Sequence, residues 1–81
     1  MLSQQGMVRI VIKLFATLRQ GRFSVQAREL EAGTTVGMVV GELGIPEREA
    51  ALIFVNGRHE NLATKLADGD TLALFPPVGG G

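Results

Sequence analysis

The sequence contains no cysteine, tryptophan or tyrosine, and it contains only one histidine. The absence of cysteine excludes a disulfide framework, a thiolate nucleophile and a cysteine-based metal site. His59 lies between Arg58 and Glu60, directly after an Asn-Gly pair, in an expected loop. No second ligand or nucleophile accompanies it, so we interpret it as a surface residue and predict no metal site. The side chains therefore indicate no catalytic constellation.

The chain also lacks a charge excess, a long apolar run and a phosphate-binding glycine motif. Eight Lys and Arg balance eight Asp and Glu without a basic run, which argues against a nucleic-acid partner. No stretch approaches the roughly 18 apolar residues of a membrane span, and the first six residues show no signal-peptide pattern. We expect a cytoplasmic protein that binds no membrane. Gly37, Gly41 and Gly44 have the wrong spacing for a nucleotide loop, so we expect no cofactor bound by this chain itself.

Four cations lie near the first two predicted strands: Arg9, Lys13, Arg19 and Arg22. They could form a modest basic face that docks to a partner. Scattered charges are more often a solvated surface. The sequence leaves both interpretations open.

The residues that are present indicate one small globular domain. Of the 81 residues, 46% are hydrophobic, which is enough for a core in a chain of this length. Residues 8–15 alternate with a period of two, as in a strand. A turn around Gly21 leads to a second alternating stretch over residues 23–30, so the two stretches predict a hairpin. The core-facing set of the first strand is Val8, Ile10, Ile12 and Leu14.

Between residues 31 and 46 the apolar residues change to a helical period. Thr34 or Thr35 can cap the start of a short amphipathic helix, and Gly44 with Pro46 ends it. Its apolar positions fall at i, i+3, i+4 and i+7: Val36, Val39, Val40 and Leu43. We expect this helix to depend on docking against a sheet, because two glycines lie within it.

The second half of the chain predicts further strands and completes the fold. Residues 51–58 read as a strand that ends in an Asn-Gly turn, and residues 71–75 as a last strand entered through an Asp-Gly turn. The order predicts an α+β class and a ubiquitin-like β-grasp: a mixed sheet of four to five strands, first and last strands adjacent at the centre, with one main helix on one face and a flexible C-terminal tail. We assign residues 1–6 to a disordered N-terminal extension, 7–75 to the β-grasp domain and 76–81 to an extended glycine-rich tail.

The strand phases place three apolar residues on the sheet face away from the helix: Val11, Phe15 and Phe75. As isolated residues they would be ordinary surface. Grouped beside the tail, they predict a partner interface, and Phe75 is the expected anchor.

The ending "LFPPVGGG" predicts a tail that leaves the sheet. Two prolines cannot donate ladder hydrogen bonds, so they must end the last strand and direct the chain outward. Glycines lack a Cβ and can enter a narrow channel. A glycine-rich end alone would favour a floppy terminus, but rigid prolines before it favour a tail that inserts. The expected inserting residues are Pro76, Pro77, Val78, Gly79 and Gly80, with the carboxylate of Gly81 at the reactive end.

These motifs resemble those of the ubiquitin-like sulfur carriers of the MoaD/ThiS family, most closely the molybdopterin synthase small-subunit branch. The matching stretches are "VIKLFATLR", "GTTVGMVVGELG", "VNG" and "LADGDTLALFPPVGGG", and together they span nearly all of residues 7–81. The most specific part is "FPPV" before the terminal glycines. Gly79 departs from that branch, where a different small residue is common, and is similar to thiamine-type carriers.

The resemblance implies a mechanism in which the carboxylate of Gly81 is the reacting group. An E1-like adenylyltransferase that uses ATP and Mg²⁺ would form an acyl-adenylate there. A sulfur donor, typically a sulfurtransferase persulfide, would then convert it to a thiocarboxylate. The large subunit of molybdopterin synthase would receive the charged tail, and the sulfur would enter the dithiolene of the molybdenum or tungsten cofactor. The chain itself would be a non-catalytic, sulfur-carrying subunit.

Three alternatives remain open at the level of the sequence. One is a thiamine-thiazole-type carrier, and the second is a ubiquitin-like protein modifier whose terminal glycine becomes joined to lysines. The third is a β-grasp interaction domain with an inert tail. The paired prolines favour the molybdopterin branch over the thiamine branch, whereas carrier and modifier share the activation step.

Overall fold

The computed structural model describes residues 6–78. The predictions made for residues 1–5 and for Gly79, Gly80 and Gly81 lie outside the described residues. In chain order, the elements are β1 (Met7–Leu14), a first 3-10 helix (Ala16–Arg19), β2 (Val25–Glu31), α1 (Val36–Glu42), a second 3-10 helix (Glu47–Glu49), β3 (Leu52–Val55), β4 (Arg58–His59) and β5 (Thr71–Phe75).

The strands form one mixed sheet in the order β2-β1-β5-β3-β4. β1 and β5 pair in parallel, and the remaining pairs are antiparallel. The first and last strands are therefore adjacent at the centre, as predicted. With α1 covering one face of the sheet, this topology is the predicted ubiquitin-like β-grasp. The predicted strand over residues 51–58 is a hairpin of β3 and β4.

The core lies between the sheet and α1. Alternate residues of β1 point into it, because successive side chains of a strand face opposite ways. Ile10, Ile12 and Leu14 are at most 2% exposed. The other core side chains come from β2, α1, β3, β5 and the connecting loops: Leu18, Leu30, Val36, Val39, Val40, Ile45, Ala50, Ile53, Val55, Leu66, Leu72 and Leu74.

Helix α1 begins and ends where its sequence signals lie. The Thr35 side chain accepts a hydrogen bond from the Met38 N–H at 3.2 Å and so caps the first turn. Leu43 is the C-cap, and Gly44 follows with φ +71°, a left-handed conformation that favours glycine. The three valines of α1 are fully buried.

The loop between β4 and β5 packs on the first turn of α1. The Gly37 N–H donates to the Leu62 carbonyl at 2.8 Å, and the Val36 N–H donates to the Thr64 carbonyl at 2.9 Å. A Cβ at Gly37 would lie 3.1 Å from that Leu62 oxygen, whereas a Cβ at Gly41 would meet no atom within 4 Å. Gly37 therefore allows a close backbone approach that Gly41 does not serve.

Arg22 joins two separate chain segments. Its guanidinium donates to the carbonyls of Leu18, Leu43 and Gly44 at 3.0 to 3.1 Å. These include carbonyls at the C-terminal end of α1, where a cation is favoured. Arg22 is therefore neither solvated surface nor part of a basic docking face.

The predicted Asn-Gly turn connects β3 and β4. Asn56 has φ +53° and Gly57 has φ +81°, as a tight hairpin turn requires. The Asn56 side chain accepts from the Thr71 N–H at 2.9 Å and donates to the Asp70 carboxylate at 2.8 Å. This side chain thus fixes the start of β5 against the hairpin.

Candidate docking face and tail

The sheet face opposite α1 has no element packed on it among the described residues, and we call it the open face. It is formed by the residues that alternate with the core positions. Its members in the apolar part of the sheet are Val11, Lys13, Phe15, Val25, Ala27, Leu52, Phe54, His59, Thr71, Ala73 and Phe75.

Four rings form a continuous aromatic row across one end of the open face. Phe15 stacks on Phe75 with ring centroids 4.2 Å apart and an interplanar angle of 9°. Phe75 contacts Phe54 edge-to-face at 5.7 Å, and Phe54 contacts His59 at 5.6 Å in the same manner. Such arrangements match the quadrupoles of the rings. The structure therefore brings together Phe15 and Phe75, two of the residues predicted for the interface.

Val11 lies on the same face but away from the aromatic row. It is half-buried and stands opposite Ala27 on β2 and Thr71 on β5. Phe75 is at the other end of β5. Val11 therefore belongs to an aliphatic part of the open face that continues onto β2, where Val25 is 59% exposed.

Sequence reasoning missed Phe54 and Leu52, which belong to the same face. Leu52 stands opposite Phe75 and is 39% exposed. Both lie in the unbroken apolar run "LIFV", in which periodicity cannot separate the two faces. The run itself was the available signal, because a strand that is apolar on both sides has two faces to cover.

The exit from β1 is set by a residue in an unusual conformation. Ala16 has φ +54°, which costs a residue with a Cβ roughly 1–2 kcal/mol. Directly before it, the Phe15 N–H donates to the Leu74 carbonyl at 3.2 Å. The chain can therefore leave the sheet into the first 3-10 helix while Phe15 stays in line with β5.

The tail leaves the sheet immediately after the aromatic row. The Phe75 carbonyl accepts a hydrogen bond from the Ala51 N–H at 3.0 Å, which is the last such contact before the two prolines. Pro76 is half-buried, Pro77 is exposed and Val78 is 87% exposed. A groove lined by Thr17, Gln20, Arg22, Glu49, Pro76 and Pro77 borders this exit. The tail thus begins one residue after the Phe75 ring.

The described residues offer no other site with recognisable chemistry. Within residues 6–78, no three His, Cys, Asp or Glu side chains are grouped so that they could hold a metal ion. No helix in this part of the chain is long and apolar enough to cross a membrane. His59 is exposed, and its one described side-chain neighbour of note is Phe54.

Comparison with known proteins assigns the family. The profile of the ThiS family matches residues 12–81. The chain belongs to the ThiS/MoaD family. The members of this family are ubiquitin-like sulfur carriers, and the resemblance predicted from the sequence is therefore confirmed.

Two solved structures share about the same identity with this carrier and differ in what their names say. A Pyrococcus furiosus protein, whose name assigns it as molybdopterin converting factor subunit 1, is 31% identical, with 88% of this chain and 99% of that chain covered and a TM-score of 0.70. SAMP1 of Haloferax volcanii, a small archaeal modifier protein, is 30% identical, with 90% and 99% covered and a TM-score of 0.68.

A third structure shows the same fold within a complex. It contains subunits 1 and 2 of the molybdopterin-converting factor of Helicobacter pylori. The matching chain is 24% identical to this carrier, with 91% of this chain and 100% of that chain covered and a TM-score of 0.54. None of the curated proteins compared with this chain matches it.

Proposed function

We propose that this carrier transports sulfur as a thiocarboxylate on Gly81 and donates it to molybdopterin formation. The proposal combines family membership with the arrangement at the end of β5. The reacting atoms belong to the main chain, so no nucleophilic or metal-binding side chain is required. The carrier is a co-reactant, and its partners supply ATP, Mg²⁺ and the catalytic groups.

The chemistry begins with activation, because a carboxylate is a poor electrophile. A carboxylate oxygen of Gly81 attacks the α-phosphorus of ATP, and pyrophosphate leaves. A persulfide sulfur of a sulfurtransferase then attacks the acyl carbon, and AMP leaves. A thiol splits the resulting acyl disulfide, forming a new disulfide and leaving the terminal sulfur on Gly81 as a thiocarboxylate.

The observation that carries the proposal is the direct connection between the aromatic row and the tail. Phe75 stacks on Phe15 and is followed at once by Pro76 and Pro77. A partner that binds the open face thereby also fixes the root of the tail. From Pro76 to Gly81 the chain reaches about 20 Å at most. Docking therefore confines the terminal carboxylate to a small volume, which raises its effective concentration in the partner's site.

The molybdopterin branch is supported by "FPPV" and by the named relatives. The Pyrococcus furiosus protein carries the name of a molybdopterin converting factor subunit at 31% identity. The Helicobacter pylori structure pairs such a subunit with subunit 2. We therefore propose the large synthase subunit as the acceptor and an E1-like adenylyltransferase as the activating partner.

A second candidate is a ubiquitin-like protein modifier. The observation that favours it is the similarity to SAMP1, which is as close as the similarity to the Pyrococcus furiosus protein. In a modifier, the activated Gly81 would be joined to lysines of other proteins. A thiazole-forming carrier is the remaining alternative, and only Gly79 favours it.

Mass spectrometry of the chain purified from its native cells separates these functions. A carrier gains the mass difference between sulfur and oxygen at its C-terminus, and a modifier appears as isopeptide adducts. A chain with neither change after incubation with ATP, Mg²⁺ and the E1-like enzyme of the same genome would contradict both.

Two tail variants provide the matched test of the mechanism. Deletion of Gly81, or addition of one residue after it, should abolish thiocarboxylate formation while the unfolding midpoint in urea stays unchanged. Thiocarboxylate formation by either variant would refute a reaction at Gly81. The pathway is then tested by adding the charged carrier, the large synthase subunit and a pterin precursor, and measuring dithiolene formation.

A further inference from the structure

Lys13 is a cation placed within the apolar part of the open face. It lies near the end of β1 and its side chain is exposed. Directly opposite on β2 stands Val25, and directly opposite on β5 stands Ala73. Neither neighbour can neutralise an ammonium group.

The remaining same-face neighbours of Lys13 are also uncharged. Two of them precede and follow it on the same side of β1, and three lie diagonally on the adjacent strands, within reach of a long side chain. They are Val11, Phe15, Ala27, Thr71 and Phe75. Lys13 therefore stands between the aliphatic part of the open face and the aromatic row.

The other charges on this face are already paired or distant. Arg9 and Glu29 stand opposite each other, and their side chains approach to 3.7 Å. Glu31 lies at the far end of β2, opposite Met7. Among residues 6–78, no ion pair involves Lys13. The apolar part of the face thus contains a single, unneutralised positive charge.

Covering the open face would remove Lys13 from water. An ammonium group that is buried without a counter-charge is strongly disfavoured, whereas one that meets a carboxylate is compensated. We propose that Lys13 is a specificity-determining residue, and that it pairs with an Asp or Glu side chain set in the apolar contact surface of the partner. This inference rests on the proposed function, because it assumes that the partner covers the open face.

The same charge disfavours a second copy of the chain as the occupant. A face-to-face dimer would place two apolar surfaces together, each with its own Lys13 and with no free carboxylate in the same apolar region. Such pairing buries cations without compensation. The open face is therefore selective for a surface that is apolar with one acidic side chain.

The test exploits the fact that the chain contains two lysines, Lys13 and Lys65. Lys65 is also exposed, but it bridges to Thr35 at the start of α1, away from the open face. The probes are the E1-like enzyme and the large synthase subunit of the same genome, each titrated against the full chain. The substitutions are Lys13→Met, Lys13→Glu and Lys13→Arg, with Lys65→Met and Lys65→Glu as matched controls.

We expect Lys13→Met to weaken binding to at least one partner about tenfold, and Lys13→Glu about a hundredfold or more, because a carboxylate would then face a carboxylate. Lys13→Arg should retain affinity within about threefold, and the Lys65 variants should match the unmodified chain. The binding of the unmodified chain should weaken with rising salt, whereas that of Lys13→Met should not. In pyrophosphate release by the E1-like enzyme, the loss should fall on KM for the carrier.

Equal binding by Lys13→Glu and Lys65→Glu would overturn this inference. So would self-association of Lys13→Met with unchanged partner affinity, since Lys13 would then only keep the face soluble. If the unmodified chain is activated normally while the Lys13 variants bind as well as it does, the proposed function stands and the role of Lys13 fails. If the unmodified chain is not activated by the E1-like enzyme at all, the proposed function fails.

Discussion

The two faces of the sheet differ in which apolar residues they use and in how completely these are buried. Under α1 the side chains are aliphatic, and Ile12, Leu72 and Leu74 are fully buried. On the open face the side chains include three phenylalanines, none of them fully buried, and Leu52 and Val25 are 39% and 59% exposed. β1 and β5 supply both faces from alternate positions.

This difference separates stability from recognition. Fully buried aliphatic side chains gain their stabilisation within the chain itself. The open-face rings have only each other as neighbours, so much of their apolar area remains to be buried by a partner. Because Phe15, Phe54 and Phe75 already contact one another, the surface is ordered before binding, and a partner would lose less entropy in fixing it.

The sharpest test of the covered face is Leu74→Ala. The side chain is fully buried, so its truncation should lower the free energy of unfolding by about 2–5 kcal/mol. Urea denaturation followed by circular dichroism measures this. A loss below about 1 kcal/mol would show that the core can collapse around the missing atoms.

The adjacent residue tests the open face. Phe75→Ala should lower the affinity for the E1-like enzyme by about 2 kcal/mol or more, because a central aromatic anchor is lost. The free energy of unfolding should fall by only about 1 kcal/mol, the value of its ring contacts. Titration calorimetry and urea denaturation measure the two effects. A loss of stability equal to that of Leu74→Ala would mean that Phe75 is a core residue.

Two glycines of α1 test how the covered face is completed. Gly37→Ala should destabilise the chain by about 1 kcal/mol, because the new Cβ meets the Leu62 carbonyl, which Gly37 itself holds by a hydrogen bond. Gly41→Ala should stabilise it by up to about 1 kcal/mol, since alanine is the better helix former and the space is open. Thermal unfolding of both variants checks the opposite signs. Two shifts of the same sign would contradict this account.

The smallest effect is expected at the edge of the open face. Val25→Thr should change the free energy of unfolding by no more than about 0.5 kcal/mol, because the side chain is 59% exposed. Leu30→Thr is the control on the same strand, where a side chain 5% exposed is replaced by a polar one. We expect a loss of about 2 kcal/mol or more there. Similar losses at the two positions would erase the distinction between the faces.

The sequence predicted the elements whose signals are local. The alternation of β1, the valine spacing and caps of α1, and the Asn-Gly turn each follow from neighbouring residues, and all are confirmed. β5 is predicted at its observed bounds, because its alternation and the two prolines define both ends. The same alternation correctly put Phe75 opposite the core.

What could not be predicted depends on contacts between distant segments. The three hydrogen bonds of Arg22 and the approach of Leu62 to Gly37 have no local signature. Phe54 was missed because every residue of "LIFV" is apolar. The isolation of Lys13 emerges only once the register places Val25 and Ala73 beside it.

The tail is attached to the central strand of the sheet, and this has a mechanical consequence. A pull on Pro76 is transmitted along β5, which is hydrogen-bonded to β1 on one side and β3 on the other. Ladder hydrogen bonds cross the strands, so such a force loads both ladders in shear and must break many bonds together. A partner can therefore tug on the tail during sulfur transfer without unravelling the domain from its end.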